Sequence, residues 1–248
     1  MKKLALTDFA KYRYPSALEL SPDGRYLTFA LKDVDREGDG YRWNLWLYGL
    51  EGREGGEDNR QITQGDDQRK AVWEDNTHIL YKTTEPDEAL RARGFEEEWT
   101  VYHRLNVCTG EDREAFRLPM SVSGLWKMDE GRYVFTGETH LDRPNLLELT
   151  GEALEKELVR RQQTRGYKVL TELPLCENGV GMFNQTRNTL FLYLEAAGEY
   201  RRITPEDYDV NHVNVRPGQV LFTAFPFRDV KPVTEGMYRW AAERNETE

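Results

Sequence analysis

With 248 residues, the chain has room for one large domain or two small ones. An apolar fraction of 38% with 12% aromatic residues belongs to a folded chain and excludes a disordered one. The net charge of −10 repels phosphate backbones, so nucleic acid is not an expected partner, and no run of about 18 apolar residues is available to span a membrane.

The lead-in, residues 1–16, is anchored by Phe9, Tyr12 and Tyr14, and Pro15 ends it. It meets an acid at Asp8 and lacks the apolar core of a secretory signal, so the expected location is cytoplasmic. Leu20 to Phe29 then reads as strand, turn, strand. In Ser21-Pro22-Asp23-Gly24, proline fixes φ, aspartate bonds its own backbone and glycine supplies a positive φ. A charged connection, Lys32 to Gly40, leads to Trp43-Asn44-Leu45-Trp46-Leu47-Tyr48, which reads as a strand buried on both faces. After an acidic turn at Glu51 to Asn59, Gln61-Ile62-Thr63 makes a fourth strand.

The same plan returns. Val72, Asp75, Asn76 and Tyr81 fall on Leu20, Asp23, Gly24 and Phe29, and asparagine is a usual substitute for glycine where φ is positive. Trp99 to Asn106 and Glu114 to Leu118 complete a second unit. A third opens at Gly124-Leu125-Trp126, turns at Glu130-Gly131 and runs to Leu146–Leu149. Residues 152–165 carry Leu154, Leu158 and Val159 on one helical face, with Thr150 as N-cap and Gly166 as stop. A fourth unit starts at Tyr167-Lys168-Val169-Leu170, turns at Asn178-Gly179 and closes at Tyr200 to Pro205. A fifth runs from His212 to Trp240, followed by a polar tail with no fourth strand.

A repeat of roughly 50 residues with four short antiparallel strands predicts an all-β chain, a β-propeller of about four to five four-stranded blades. The blades fall at about 17–64, 70–118, 122–150, 167–204 and 210–240, with a helical insertion at 151–166, in one domain. The count leaves the ring incomplete within the chain, so an exposed blade edge is available for self-association.

The Ser-Pro-Asp-Gly turn, Leu45-Trp46-Leu47-Tyr48 and Gln61-Ile62-Thr63 resemble the TolB-like propeller repeat. Together with Glu97-Glu98-Trp99-Thr100-Val101-Tyr102 and Glu172-Leu173-Pro174, they resemble the N-terminal propeller of the prolyl oligopeptidase family of serine peptidases, in its acylaminoacyl-peptidase and dipeptidyl-peptidase branch. The resemblance spans about residues 6–240. It implies an α/β-hydrolase domain carrying Ser, Asp and His, but no Gly-x-Ser-x-Gly elbow occurs here. The only serines are Ser16, Ser21, Ser121 and Ser123. The chain is therefore expected to be inactive alone, as part of a longer protein, a split gene product or a stand-alone propeller. Its implied role is to gate and size-filter peptides for the hydrolase domain. The alternative is a propeller scaffold that binds a protein or peptide.

The resemblance also implies that Glu96, Glu97 and Glu98 hold a substrate amino group, since paired carboxylates suit an ammonium. By themselves they read as a solvated turn before a strand, in a chain that is acidic throughout. His78, His103, His140 and His212 have no ligand-spaced partners and read as structural. Asp23, Asp75 and Asp129 read as turn formers, one carboxylate per turn being too few for calcium. The six tryptophans read as packing between blades. Cys108 and Cys176 match no metal spacing and read as half-buried thiols. No metal or cofactor is expected. The helix reads as a decorated connection or as a partner-binding element.

Overall fold

A computed structural model describes residues 5–35, 40–50, 59–167, 169–174, 176–177, 181–182, 184–243 and 246–247. The predicted turns within 36–39 and 51–58, and the turn at Asn178-Gly179, lie outside the described residues. The chain divides into two compact units. One is Met1–Thr84 with Val101–Arg117, and the other is Glu85–Thr100 with Leu118–Glu248.

The first unit opens with a 3-10 helix at Leu6–Lys11. A four-stranded sheet follows, ordered β1 (Tyr14–Leu20), β2 (Tyr26–Asp35), β3 (Gly40–Gly49), β4 (Asn59–Gln61). Pro15 does not end the lead-in. It lies within β1, an edge strand, where a missing N–H is tolerated. β1 carries one extra residue between Ser16, opposite Ala30, and Glu19, opposite Thr28. Ala17 takes φ 49 at this bulge. The Ser21 to Tyr26 turn forms as its residues dictate. Gly24 has φ 71, and Asp23 Oδ1 accepts from Ser21 Oγ at 2.7 Å and from Arg25 N at 3.1 Å. β3 buries one face only, through Leu45 and Leu47, while Trp46 is half-buried and Tyr48 exposed. The expectation of two buried faces fails because its aromatic rings fill the opposite row.

The second sheet runs β5 (Ala71–Trp73), β6 (His78–Pro86), β7 (Glu98–Asn106), β8 (Asp112–Leu118). The short α1 (Glu88–Arg91) links β6 to β7 and is capped by Asp87, which accepts from Leu90 N. Ala30, Leu45 and Leu47 of the first sheet share one core with Trp73, Ile79, Tyr81 and Leu105 of the second. Trp73 Nε1 also donates to Glu19 O at 3.2 Å. This is blade-on-blade packing, with alternate strand residues from each sheet meeting face to face.

The second unit corrects the repeat count. β9 (Val122–Asp129) and β10 (Arg132–His140) do not form a blade with Leu146–Leu149. They join β13 (Thr186–Leu194) and β14 (Glu199–Arg202) in one sheet, ordered β14-β13-β10-β9. The predicted blades at 122–150 and 167–204 are therefore a single blade. Between its halves lie a 3-10 turn at Leu146–Glu148, α2 (Gly151–Gln163) and a two-stranded β11 (Cys176–Glu177) with β12 (Gly181–Met182). Residues 167, 169 and 170 are in no strand. The physical reason is register. β10 and β13 pair without interruption from Arg132 opposite Leu194 to His140 opposite Thr186, and Phe135 stacks on Phe191 with centroids 5.0 Å apart.

The last sheet is β15 (Tyr208–Arg216), β16 (Gln219–Pro226), β17 (Gly236–Ala241), β18 (Glu246–Thr247). The tail thus supplies a fourth strand after all, with Thr247 opposite Trp240. Met128, Val134, Leu190 and Leu192 pack on Val210, Phe222 and Trp240 across the two sheets of this unit. Trp73 and Trp240 fill cores as expected, whereas the other four tryptophans are half-buried. Both cysteines are exposed rather than half-buried. Among the described residues, no helix is long and apolar enough to cross a membrane.

Candidate functional site

The residues inserted between β10 and β13 build a cavity of about 290 Å³ in the second unit. Leu158 and Leu154 of α2 pack on Leu90, Phe95, Leu146 and Leu147, which fixes the helix against the 3-10 turn. Val159, expected on the same face, is 52% exposed, because it lies about 100° around the helix from Leu158. Thr150 occupies the N-cap position without a side-chain bond, and Thr164 caps the end.

Arg161 of α2 is the hub of one wall. Its Nη1 donates to Glu97 Oε1 at 2.7 Å, its Nε to Glu157 Oε1 at 3.0 Å and its Nη2 to Pro144 O at 2.6 Å. Glu157 also receives Arg160 through two bonds of 2.7 and 2.6 Å. The Arg160 guanidinium holds the Glu157 carboxyl below its ordinary range, against the burial that pushes it up.

Another part of the lining is aromatic. Tyr200 of β14 meets Phe191 and Phe135 edge-on, at 5.6 and 5.9 Å. Burial pushes the Tyr200 phenol up, and its bond to Glu148 adds to this, so the hydroxyl stays a neutral donor. His140 closes the end of β10. Its Nε2 lies 3.0 Å from Arg143 Nη2 and 3.4 Å from Glu138 Oε1, and its Nδ1 lies 3.2 Å from Thr186 Oγ1.

Of the three glutamates singled out in the sequence, Glu97 and Glu98 line this cavity. Glu96 is exposed and does not. Glu97 already faces the Arg161 cation, which leaves Glu98 as the carboxylate with no partner among the described residues. Arg202 is its basic counterpart: it lines the cavity, sits 5.8 Å over the Phe191 ring and has no acid partner among the described residues. The sequence held no signal for Tyr200, Phe191 and Arg202 as site residues, since only the β10–β13 pairing brings them to the inserted segment.

The remaining candidates hold structure. His78 Nδ1 lies 2.9 Å from Asp75 Oδ2 and its Nε2 lies 3.1 Å from Asn106 Nδ2. His103 stacks on Tyr81 and meets Thr83 Oγ1 at 3.1 Å. Asp129 is bound by Arg132. Ser21 and Ser123 spend their hydroxyls on Asp23 and on Thr136 and Asn188. No group of three or more His, Cys, Asp or Glu among the described residues is placed to hold a metal.

No family model and no curated protein matches this sequence. Solved structures match its fold. Acylaminoacyl peptidase from Pyrococcus horikoshii superposes with a TM-score of 0.64 at 13% identity, over 98% of this chain and 33% of that one. Puromycin hydrolase gives 0.53 at 12% identity, over 95% of this chain and 28% of that one. TolB from Acinetobacter baumannii gives 0.51 at 10% identity, over 94% and 42%. The chain spans about a third of the length of the peptidases it matches. Its structural neighbours are the propeller portions of acylaminoacyl peptidase and puromycin hydrolase, and its fold is that β-propeller.

Proposed function

We propose that this chain is a non-catalytic propeller portion of a cytoplasmic serine peptidase of the acylaminoacyl-peptidase and dipeptidyl-peptidase type. It holds and sizes short peptides for an α/β-hydrolase catalytic domain. One observation carries the reading: a single cavity combines an uncommitted carboxylate, Glu98, an uncommitted guanidinium, Arg202, and an aromatic wall of Phe191 and Tyr200. A peptide end presents the matching chemistry, an ammonium and carbonyl oxygens beside an apolar side chain. At about 290 Å³ the space suits a residue or two and excludes a folded protein.

The test is a binding titration with fluorescent short peptides, free or N-acetylated, alongside a mass-spectrometric assay for cleavage. The expected result is saturable binding without hydrolysis. Glu98→Gln weakens the free peptide by about tenfold and leaves the acetylated one unchanged. Cleavage by the purified chain, or equal affinity of both peptides for wild type and Glu98→Gln, overturns the reading.

A further inference from the structure

A second concavity, of about 720 Å³, adjoins the first at Arg143 and Arg161. It is lined by four arginines, Arg143, Arg160, Arg161 and Arg165, against one acid, Asp142. That concentration is notable in a chain of net charge −10. Two of the four are explained locally. Arg160 and Arg161 sit in the last turn of α2, where they complement the helix dipole, and both are bonded to Glu157.

Arg143 and Arg165 are not explained this way. Arg143 comes from a different segment, and among the described residues its side chain meets no acid, only His140 Nε2 at 3.0 Å. Arg165 lies beyond the helix end, is exposed and has no side-chain partner among the described residues. A third donor lines the same space. Asn184 is 8% exposed and lines the same concavity. Its Oδ1 accepts from Thr171 N at 2.7 Å and Thr171 Oγ1 at 3.3 Å, which fixes the amide orientation. Its Nδ2 is left with no partner among the described residues. Here it stands with two guanidiniums, groups that donate and never accept.

We propose that this concavity is an oxyanion site, with Arg143, Arg165 and Asn184 Nδ2 as its donors and a carboxylate or phosphate group as its ligand. The inference does not depend on the peptide reading of the neighbouring cavity. Arg160 and Arg161, neutralised by Glu157 and Glu97, serve as positioning residues that keep the rim rigid.

The experiment is isothermal titration of the full chain at low salt with three probes: inorganic phosphate, a short peptide with a free C-terminal carboxylate, and the same peptide amidated. Binding of phosphate, or of the free-carboxylate peptide in preference to the amidated one, identifies the source of the anion. The double variant Arg143→Gln/Arg165→Gln should weaken that binding by about tenfold or more, and added salt should weaken it in wild type. Arg165 is exposed, so Arg165→Gln alone tests the site without a folding penalty. Asn184→Asp places a carboxylate among the donors and should abolish binding while keeping the bonds from Thr171. No saturable binding of phosphate or the free-carboxylate peptide overturns the inference, as does binding that the double variant leaves intact. If the amidated peptide binds equally well and only Glu98→Gln weakens it, the oxyanion site fails and the peptide cavity stands.

Discussion

Removing one charge from the Glu172–Arg187 pair should destabilise the second unit severely, and removing both should not. Both side chains are fully buried. Arg187 Nη2 donates to Glu172 Oε2 at 3.0 Å and to Phe227 O at 2.9 Å, while Nη1 donates to Thr186 O at 2.8 Å. The guanidinium lies 3.7 Å over the Phe227 ring. Through this pair the inserted segment is tied to residues 227–231, where Leu173 N also donates to Asp229 O. Glu172→Gln keeps the shape and leaves a buried cation without its counter-charge, at a cost of about 3–5 kcal/mol. That is a large part of the 5–15 kcal/mol roughly typical of a domain. The pair itself is not a net source of stability of that size. Arg187 Nε has no partner among the described residues, and both ions are desolvated. The double variant Glu172→Leu/Arg187→Met should therefore be less damaging than either single change, and roughly neutral. Urea unfolding followed by tryptophan fluorescence, with Trp99, Trp126 and Trp240 reporting on this unit, gives the shift in midpoint. A Glu172→Gln loss within about 1 kcal/mol of zero, or a double variant equal to the sum of the singles, refutes the reasoning.

Four further outcomes are expected. Burial pushes the Asp75 carboxyl up, but bonds from the Thr77 and His78 amides outweigh it and hold the group at about 2. A lowered value stabilises the fold above the ordinary carboxylate range, and that contribution is lost as pH falls from about 4 through about 2. Melting between these values should show an acid limb that Asp75→Asn reduces, and an unchanged limb counts against this turn. Gly24→Ala should cost about 1 kcal/mol by thermal melting, because φ is 71 and nothing lies within 4 Å of the added methyl. Conversely, Ala17→Gly should gain up to about 1 kcal/mol, since Ala17 takes φ 49 at the β1 bulge, and a loss shows that its methyl packs. Leu158→Ala should cost roughly 2–5 kcal/mol and lower peptide affinity at the cavity, because Leu158 holds α2 in place.

Local chemistry was legible in the sequence wherever a turn and its strands are contiguous. Ser21 to Gly24 and Glu130-Gly131 form the turns that their residues demand, and the helix at 152–165 stands within two residues of α2. Pairing across a long separation was not legible. Nothing local says that Phe135 meets Phe191, so the two halves of one blade read as two blades. The tail failed differently. Two residues pairing with Trp240 and Ala241 carry too little apolar pattern to mark a strand. The site inherits the first limit. Glu97 and Glu98 stood out through the family resemblance, whereas Arg143, Arg202 and Tyr200 reach the site only through the insertion and the β10–β13–β14 pairing.

The pairing of His140 with Thr186 also makes the third blade a modular scaffold. The segment between them leaves and re-enters the sheet at adjacent points, so its two ends are already closed by the sheet itself. With Arg187 replaced by an apolar residue, a tight turn in the segment's place would keep the β10–β13 register, and a different segment could be grafted there at little entropic cost. Diversification of recognition in such a chain then needs a compensating change at one blade-core position, Arg187, whose buried counter-charge Glu172 belongs to the segment. Homologous propellers with other segments at this hairpin would carry other specificities on the same architecture.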